Sequence, residues 1–154
     1  MSNAPVTPIT ILMADDDEED RDSFKKAWMA SRGTNDVRFV TDGEELMDYL
    51  KRRGDYADPT KAPRPGLILL DLNMPRKDGR EALREIKADP ALRQIPVIIM
   101  TTSYVEEDID KSYDLGASSF VTKPVTLTAL IAVVQAIGQY WIEIVELPGR
   151  GVHK

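Results

Sequence analysis

Short apolar runs alternate along this chain with segments in which apolar residues recur at helical spacing. Runs of this length, bounded by turn residues, predict buried strands of a parallel sheet. The predicted strands are 8–14, 37–40, 67–70, 95–100 and 118–122.

The intervening segments predict helices. The first begins within the acidic stretch 15–20, because acids are favourable in a first helical turn, and Gly33 is expected to end it. Further helices are predicted from about 42 to 50, over 81–88, over 106–115, and from about 126 into the 140s. Strands that alternate with helices in this way predict a doubly wound α/β fold, with helices on both faces of a parallel sheet.

We expect one domain over residues 9–146, with a polar leader at 1–8 and a tail at 147–154. The segment 54–66 is rich in proline and has no apolar period, so it predicts a long surface loop.

Reactive side chains follow four of the predicted strands. Asp15 and Asp16 follow the first strand, Asp71 the third, Thr101 the fourth and Lys123 the fifth. The carboxyl ends of parallel strands share one edge of the sheet, which is where such folds place their ligand sites. We therefore expect these side chains to converge.

The residue types suggest the chemistry of this edge. Three carboxylates in one cleft repel each other, and a hard divalent cation such as Mg²⁺ removes that conflict. Asp71, on the central strand, is the candidate nucleophile, because a carboxylate can attack a phosphoryl group and form an aspartyl-phosphate. Lys123 and the Thr101 hydroxyl could then hold the phosphoryl oxygens.

The composition mainly excludes certain classes of protein and kinds of site. The net charge of −6 argues against general nucleic-acid binding, and the lack of cysteine excludes disulfides and thiolate metal sites. The only histidine is His153, next to the last residue, so a reaction that needs imidazole must use another molecule's. No apolar run is long enough for a membrane helix and no signal peptide is recognisable, so we expect a cytoplasmic protein that makes no membrane contact.

These motifs, in this order, resemble the receiver domain of bacterial two-component response regulators, the flavodoxin-like CheY type. The resemblance covers residues 9–144 and rests on Asp15-Asp16, the segment 71–75 (DLNMP), Thr101, and Lys123-Pro124. It implies five strands in the order 2-1-3-4-5 and a stand-alone regulator that accepts a phosphoryl group from a histidine kinase or a phosphotransfer protein. The long 54–66 loop resembles that of receivers that partner phytochrome-type kinases.

The resemblance also implies roles for individual residues. Asp71 would be the phosphoacceptor. Asp16, Asp71 and the Asn73 carbonyl would ligate Mg²⁺, with Asp15 bound through water. Thr101 would be the switch hydroxyl and Phe120 the switch aromatic.

Each assignment has an alternative. The acid pair could be Asp16-Asp17, or could simply cap the first helix, and Thr102 could replace Thr101. Phe120 could be an ordinary core residue, as aromatic residues in strands usually are.

Two other functions compete with the receiver. A haloacid-dehalogenase-type phosphohydrolase also forms an aspartyl-phosphate, but it carries an Asp where this chain has Asn73, and no cap domain is visible. A receiver fold that acts only as a phosphorylation-independent interaction module would not need the acid pair, Asp71, Thr101 and Lys123. We expect no enzyme that turns over a substrate, only self-phosphorylation and slow dephosphorylation.

The last predicted helix is apolar on two sides. One stripe consists of Leu127, Leu130, Ile131, Val134, Ile137 and Trp141, and a second consists of Val133, Ala136, Tyr140 and Ile144. A helix apolar on two sides usually buries both. This predicts a homodimer or kinase-docking face, with the alternative that the tail folds back over its own domain.

Overall fold

Five parallel strands form one sheet in a computed structural model that describes residues 9–31, 35–102, 106–124 and 126–139. The strands are β1 (Thr10–Ala14), β2 (Val37–Val40), β3 (Pro65–Leu70), β4 (Val97–Thr101) and β5 (Ser119–Thr122). The helices are α1 (Glu18–Ala30), α2 (Gly43–Lys51), α3 (Gly79–Ala88), α4 (Glu106–Asp114) and α5 (Leu127–Ile137), with a 3₁₀ turn at Gly54–Tyr56. The strand order is β2-β1-β3-β4-β5, so the predicted doubly wound α/β fold is confirmed.

The central strands bury side chains on both faces, which explains their uninterrupted apolar sequences. On one face Leu12, Ile68 and Ile99 belong to a core that includes residues of α2 and α3. On the other face Ile11 and Leu69 belong to a core that includes residues of α1 and α5. Successive strand residues point to opposite faces, so each central strand supplies both cores.

Aspartate side chains cap three of the helices at the carboxyl edge of the sheet, and Thr126 caps α5. Asp17 caps α1, Asp42 caps α2 and Asp78 caps α3, each by accepting a hydrogen bond from a backbone N–H of the first turn. Glu45 in turn accepts a bond from the backbone N–H of Thr41, the residue before the cap, at 2.7 Å. Side chains therefore hold the first turns of α1, α2 and α3 at this edge.

Several predicted boundaries are wrong. α1 ends at Ala30 with Ser31 as its C-cap, before Gly33, which lies outside the described residues. β4 begins at Val97, not at residue 95, because Pro96 has no N–H for the ladder.

β3 begins at Pro65, inside the segment predicted as loop. The register shifts here, so that Thr10 pairs with Pro65 and Ile11 with Leu67, which leaves Gly66 between them. A Cβ on Gly66 would lie 2.7 Å from that of Ile9, so a glycine suits this irregular position.

The remainder of the 54–66 segment is packed against α2. The Tyr49 hydroxyl donates to the Pro63 carbonyl at 2.8 Å, the Tyr56 hydroxyl donates to Glu45 Oε2 at 2.5 Å, and Ala62 is buried. The segment is therefore a surface loop held by specific bonds.

α5 buries Leu130, Val134 and Ile137 against the sheet, whereas Leu127 is 49% exposed. The first predicted stripe ends at residue 141 and the second at residues 140 and 144, all of which lie outside the described residues. No helix in the described part of the chain is long and apolar enough to cross a membrane.

Candidate functional site

The backbone brings Asp15 and Asp71 side by side at the carboxyl edge of the sheet. Asp15 directly follows β1 and Asp71 directly follows β3, and the last residues of these strands, Ala14 and Leu70, are paired. The N–H of Asp71 donates to the Ala14 carbonyl, and the N–H of Asp15 donates to the Val40 carbonyl, both at 3.0 Å. The ladder thus extends one residue past each strand and fixes both acids.

Asp15, Asp16 and Asp71 form an acidic group in which one carboxylate oxygen from each lies within 4.8 Å of the others. Asp15 is fully buried, Asp71 is 7% exposed, and Asp16 is exposed. Carboxylate oxygens are the ligands that hard divalent cations prefer, and Mg²⁺ keeps several waters, which suits a group with one solvent-exposed member. These residues therefore fit such a cation.

Asp17 has a different position from this group. Its Oδ1 accepts hydrogen bonds from the N–H groups of Glu19 and Asp20, at 2.9 and 3.3 Å, so it caps α1. Its own N–H donates to Asp15 Oδ1 at 3.0 Å. The structure thus groups Asp71 with Asp15 and Asp16, and gives the capping role to Asp17.

Lys123 places its amine among three carboxylates. It directly follows β5, and its N–H donates to the Thr101 carbonyl at 2.8 Å. Its Nζ lies 2.6 Å from Asp15 Oδ2 and 3.1 Å from Asp71 Oδ2, so the predicted convergence of these residues is observed.

The third contact of Lys123 is with Asp20 Oδ2, at 2.7 Å, and sequence reasoning missed it. The sequence predicts for Asp20 only a favourable interaction with the helix dipole. Residue spacing gives no signal for this contact, because Asp16 precedes α1 and the contact depends on how that helix packs.

Burial and charge act on this cluster in opposite directions. Burial raises the pKa of Asp15 above its usual value, although Lys123 and the Asp17 N–H oppose that shift. Burial alone would lower the pKa of Lys123, but its contacts with Asp15 and Asp20 and the charge of Asp71 raise it instead. Lys123 therefore stays charged at neutral pH, as a counter-ion to the acids.

Thr101 is the last residue of β4 and is fully buried, whereas Thr102 is exposed. Phe120, in β5, is partly buried against the core on the α2 and α3 face, and its N–H donates to the Tyr113 hydroxyl at 3.1 Å. This packing is compatible with both the switch and the core interpretation of Phe120.

The loop between β3 and α3 orients Asp71. The Asn73 N–H donates to Asp71 Oδ1 at 3.2 Å, and the Gly79 N–H donates to the Leu72 carbonyl at 2.9 Å. A Cβ on Gly79 would lie 2.1 Å from the Asp71 carbonyl oxygen, so only glycine allows α3 to start this close to the acid.

A second ion pair at this edge was not predicted. Arg76 has a left-handed backbone with φ of 64°, and its Nε and Nη2 donate to Asp42 Oδ2 at 3.1 and 2.7 Å. The bond joins the β3–α3 loop to the N-terminus of α2. It depends on an unusual backbone conformation that the sequence does not reveal.

Comparison with known proteins defines the class of protein. The response regulator receiver domain family matches residues 11–135. The chain belongs to this family, as the motifs and the fold indicate.

Particular relatives are similar over nearly their whole length. The response regulator Rcp1 of Synechocystis sp. strain PCC 6803 is 40% identical over 96% of this chain and 99% of its own. The phosphorylated cyanobacterial phytochrome response regulator RcpA is 42% identical in sequence. Its crystal structure has a TM-score of 0.85 and covers 92% of this chain and 99% of that one. The Mn²⁺-bound form of Rcp1 is 40% identical, with a TM-score of 0.83 over 92% of this chain and 100% of that one.

Proposed function

We propose that this protein is a single-domain response regulator that accepts a phosphoryl group on Asp71. One observation carries the proposal: the Asp71 carboxylate lies beside Asp15 and Asp16 and 3.1 Å from the Lys123 amine. A nucleophile placed between metal-ligating oxygens and a fixed cation suits phosphoryl transfer, which depends on positioning and charge stabilisation.

The proposed donor is the phosphohistidine of a sensor histidine kinase or a histidine phosphotransfer protein. One Asp71 carboxylate oxygen attacks phosphorus, the new O–P bond forms, and the donor's P–N bond breaks. The imidazole leaves with the bonding electron pair and takes up a proton. The product is an acyl phosphate on Asp71.

Charge on the phosphoryl oxygens would be met by side chains at the ends of β4 and β5. Lys123 would hold one oxygen through its Nζ, and the Thr101 hydroxyl would donate to another. Asp15, Asp16, Asp71 and the Asn73 carbonyl would hold Mg²⁺, which when bound neutralises the carboxylates and the phosphoryl oxygens. Mn²⁺ in the related Rcp1 supports a divalent cation at this site.

Signalling would follow from new bonds to the phosphoryl group. Thr101 would move toward it, Phe120 would turn inward, and the surface built by α4, β5 and α5 would change. This is a population shift between two packings, biased by phosphorylation.

The proposed kinase is of the phytochrome type. Support comes from the similarity to RcpA, a cyanobacterial phytochrome response regulator, and from the ordered 54–66 loop. Such a donor obtains its phosphoryl group from ATP, so the proposal places the protein in the cytoplasm.

Intact mass spectrometry after incubation with Mg²⁺ and acetyl phosphate tests the proposal. Wild type should gain one phosphoryl group that hydroxylamine removes, and Asp71→Asn should gain none. If neither gains it while Mg²⁺ binding is intact, the proposal fails and a phosphorylation-independent interaction module becomes the better interpretation.

The homodimer through the C-terminal helix stays a prediction. Sedimentation with and without beryllofluoride checks it, and a strict monomer in both conditions would contradict it.

A further inference from the structure

Asp20 holds the Lys123 amine from outside the acidic group. Its Oδ2 lies 2.7 Å from Nζ, closer than the Asp71 oxygen at 3.1 Å. It belongs to the first turn of α1, and it is not among the three carboxylates that converge as potential metal ligands. The contact is therefore separate from the metal site, although it shares the lysine.

The three partners of Lys123 would not all remain available to it. A divalent cation on Asp15 and Asp71 competes with the amine for the same carboxylates, because both bind carboxylate oxygen. Asp20 would keep its interaction and would become the main anchor of Lys123 in the metal-loaded, unphosphorylated protein.

The contact is also one that can be broken. The Asp20 side chain is 38% exposed, against 10% for Lys123, and both residues line a cleft of about 220 Å³ between α1 and the start of α5. Water can replace the lysine at Asp20 without leaving a buried charge unpaired. The amine could thus move from Asp20 to a phosphoryl oxygen at modest cost.

We propose that Asp20 is a positioning residue that holds Lys123 at α1 until phosphoryl oxygens on Asp71 compete for it. This inference rests on the proposed function. Asp20 would oppose phosphorylation, since the amine must leave it, and phosphorylation would release the first turn of α1 from β5. The first turn of α1 would therefore respond directly to the modification.

Beryllofluoride with saturating Mg²⁺ is the probe, and ¹⁹F NMR measures its binding. Asp20→Asn should bind it about three- to tenfold more tightly than wild type, as expected when a partly exposed charge-assisted contact no longer competes. Glu19→Gln is the matched control, because it removes the same charge from an exposed position in the same turn. Its affinity should stay close to that of wild type.

A second measurement separates the lysine contact from a general charge effect. Asp20→Asn should raise the initial rate of phosphorylation by acetyl phosphate in the wild-type background but not in Lys123→Met. An equal increase in both backgrounds would overturn the inference, because the effect would then not pass through Lys123. Equal beryllofluoride affinities for Asp20→Asn and Glu19→Gln would overturn it as well.

The proposed function fails by a different result. Absence of beryllofluoride binding and of phosphorylation in wild type would contradict both the proposed function and the role of Asp20. Normal binding and phosphorylation with no Asp20-specific effect would defeat only the role of Asp20.

Discussion

Asp15 and Asp42 are two buried carboxylates that follow adjacent strands at the same sheet edge, yet their surroundings differ. Asp42 accepts the Glu45 N–H at 2.8 Å and two N–H groups of Arg76, so fixed donors satisfy it. Asp15 Oδ1 accepts the Asp17 N–H at 3.0 Å, and the partner of Asp15 Oδ2 among the described residues is the Lys123 amine, at 2.6 Å. The same Lys123 amine also forms ion pairs with Asp20 and Asp71.

The difference separates a structural acid from a candidate functional one. A buried carboxylate with a full set of donors stabilises a turn and binds nothing further. One that shares a single cation with other acids has oxygens left for a ligand and stays costly until it binds one. Asp15 is distinguished less by its burial or its position at a strand end than by having to share its counter-ion with other acids.

The largest effect is expected from Lys123→Met in the metal-free protein. Removing the shared cation leaves buried carboxylates without a counter-ion, which should lower the free energy of unfolding by about 3 kcal/mol. Urea denaturation measures this loss, and saturating Mg²⁺ should reverse most of it. Arg76→Met is the control: its side chain is 61% exposed, so its loss should be much smaller and unaffected by Mg²⁺. Similar losses of unfolding free energy for the two variants would contradict the difference between Asp15 and Asp42.

Asp42→Ala should come next. It removes the α2 cap and should lower the free energy of unfolding by about 1–2 kcal/mol, with or without Mg²⁺. Asp42→Asn keeps an oxygen that can accept the Glu45 N–H, so it should lose less. A loss of stability relative to wild type that changed with Mg²⁺ would assign this acid to the metal site.

Asp15→Asn should act in the opposite direction. Removing one of several repelling carboxylates should stabilise the metal-free protein by on the order of 1 kcal/mol. The same change should weaken Mg²⁺ binding by about tenfold or more, because a site oxygen loses its charge. Thermal denaturation and calorimetric Mg²⁺ titration test the two effects, and destabilisation of the metal-free protein would argue that Asp15 is as well satisfied as Asp42.

The smallest effect concerns Tyr49, which bonds the 54–66 loop to α2. Burial raises its pKa from 10.0 to about 12. Because the folded pKa exceeds the unfolded one, the stability that this phenol contributes is complete below pH 10.0 and is lost as pH rises through about 12. Tyr49→Phe should cost about 1 kcal/mol or less at neutral pH and should reduce the alkaline loss of stability. Urea denaturation from pH 7 to 11.5 measures this, and an unchanged alkaline slope would contradict it.

Sequence alone predicted the parts of the fold that depend on local pattern. The residues of β2 were predicted without error, and α3 ends at the predicted residue 88. The start of β3 was missed because Pro65 and Gly66 look like loop residues, while the pairing of Thr10 with Pro65 depends on a register shift between distant segments.

The same distinction between local pattern and tertiary packing applies to the candidate site. Asp15, Asp71 and Lys123 could be placed together because strand ends share one edge. The Asp20 contact depends on how α1 packs, and the Arg76–Asp42 pair on a left-handed backbone, so neither followed from residue type and spacing.

The absence of a side chain at Gly79 limits how this protein can vary. The helix that starts there touches the backbone of Asp71, so a methyl group would displace the acid although no charge changed. The α1 side of Asp71 is held instead by side-chain ion pairs, which adjust more readily than backbone contacts. Mutational tolerance should therefore be uneven around Asp71, higher on the α1 side than at the start of α3.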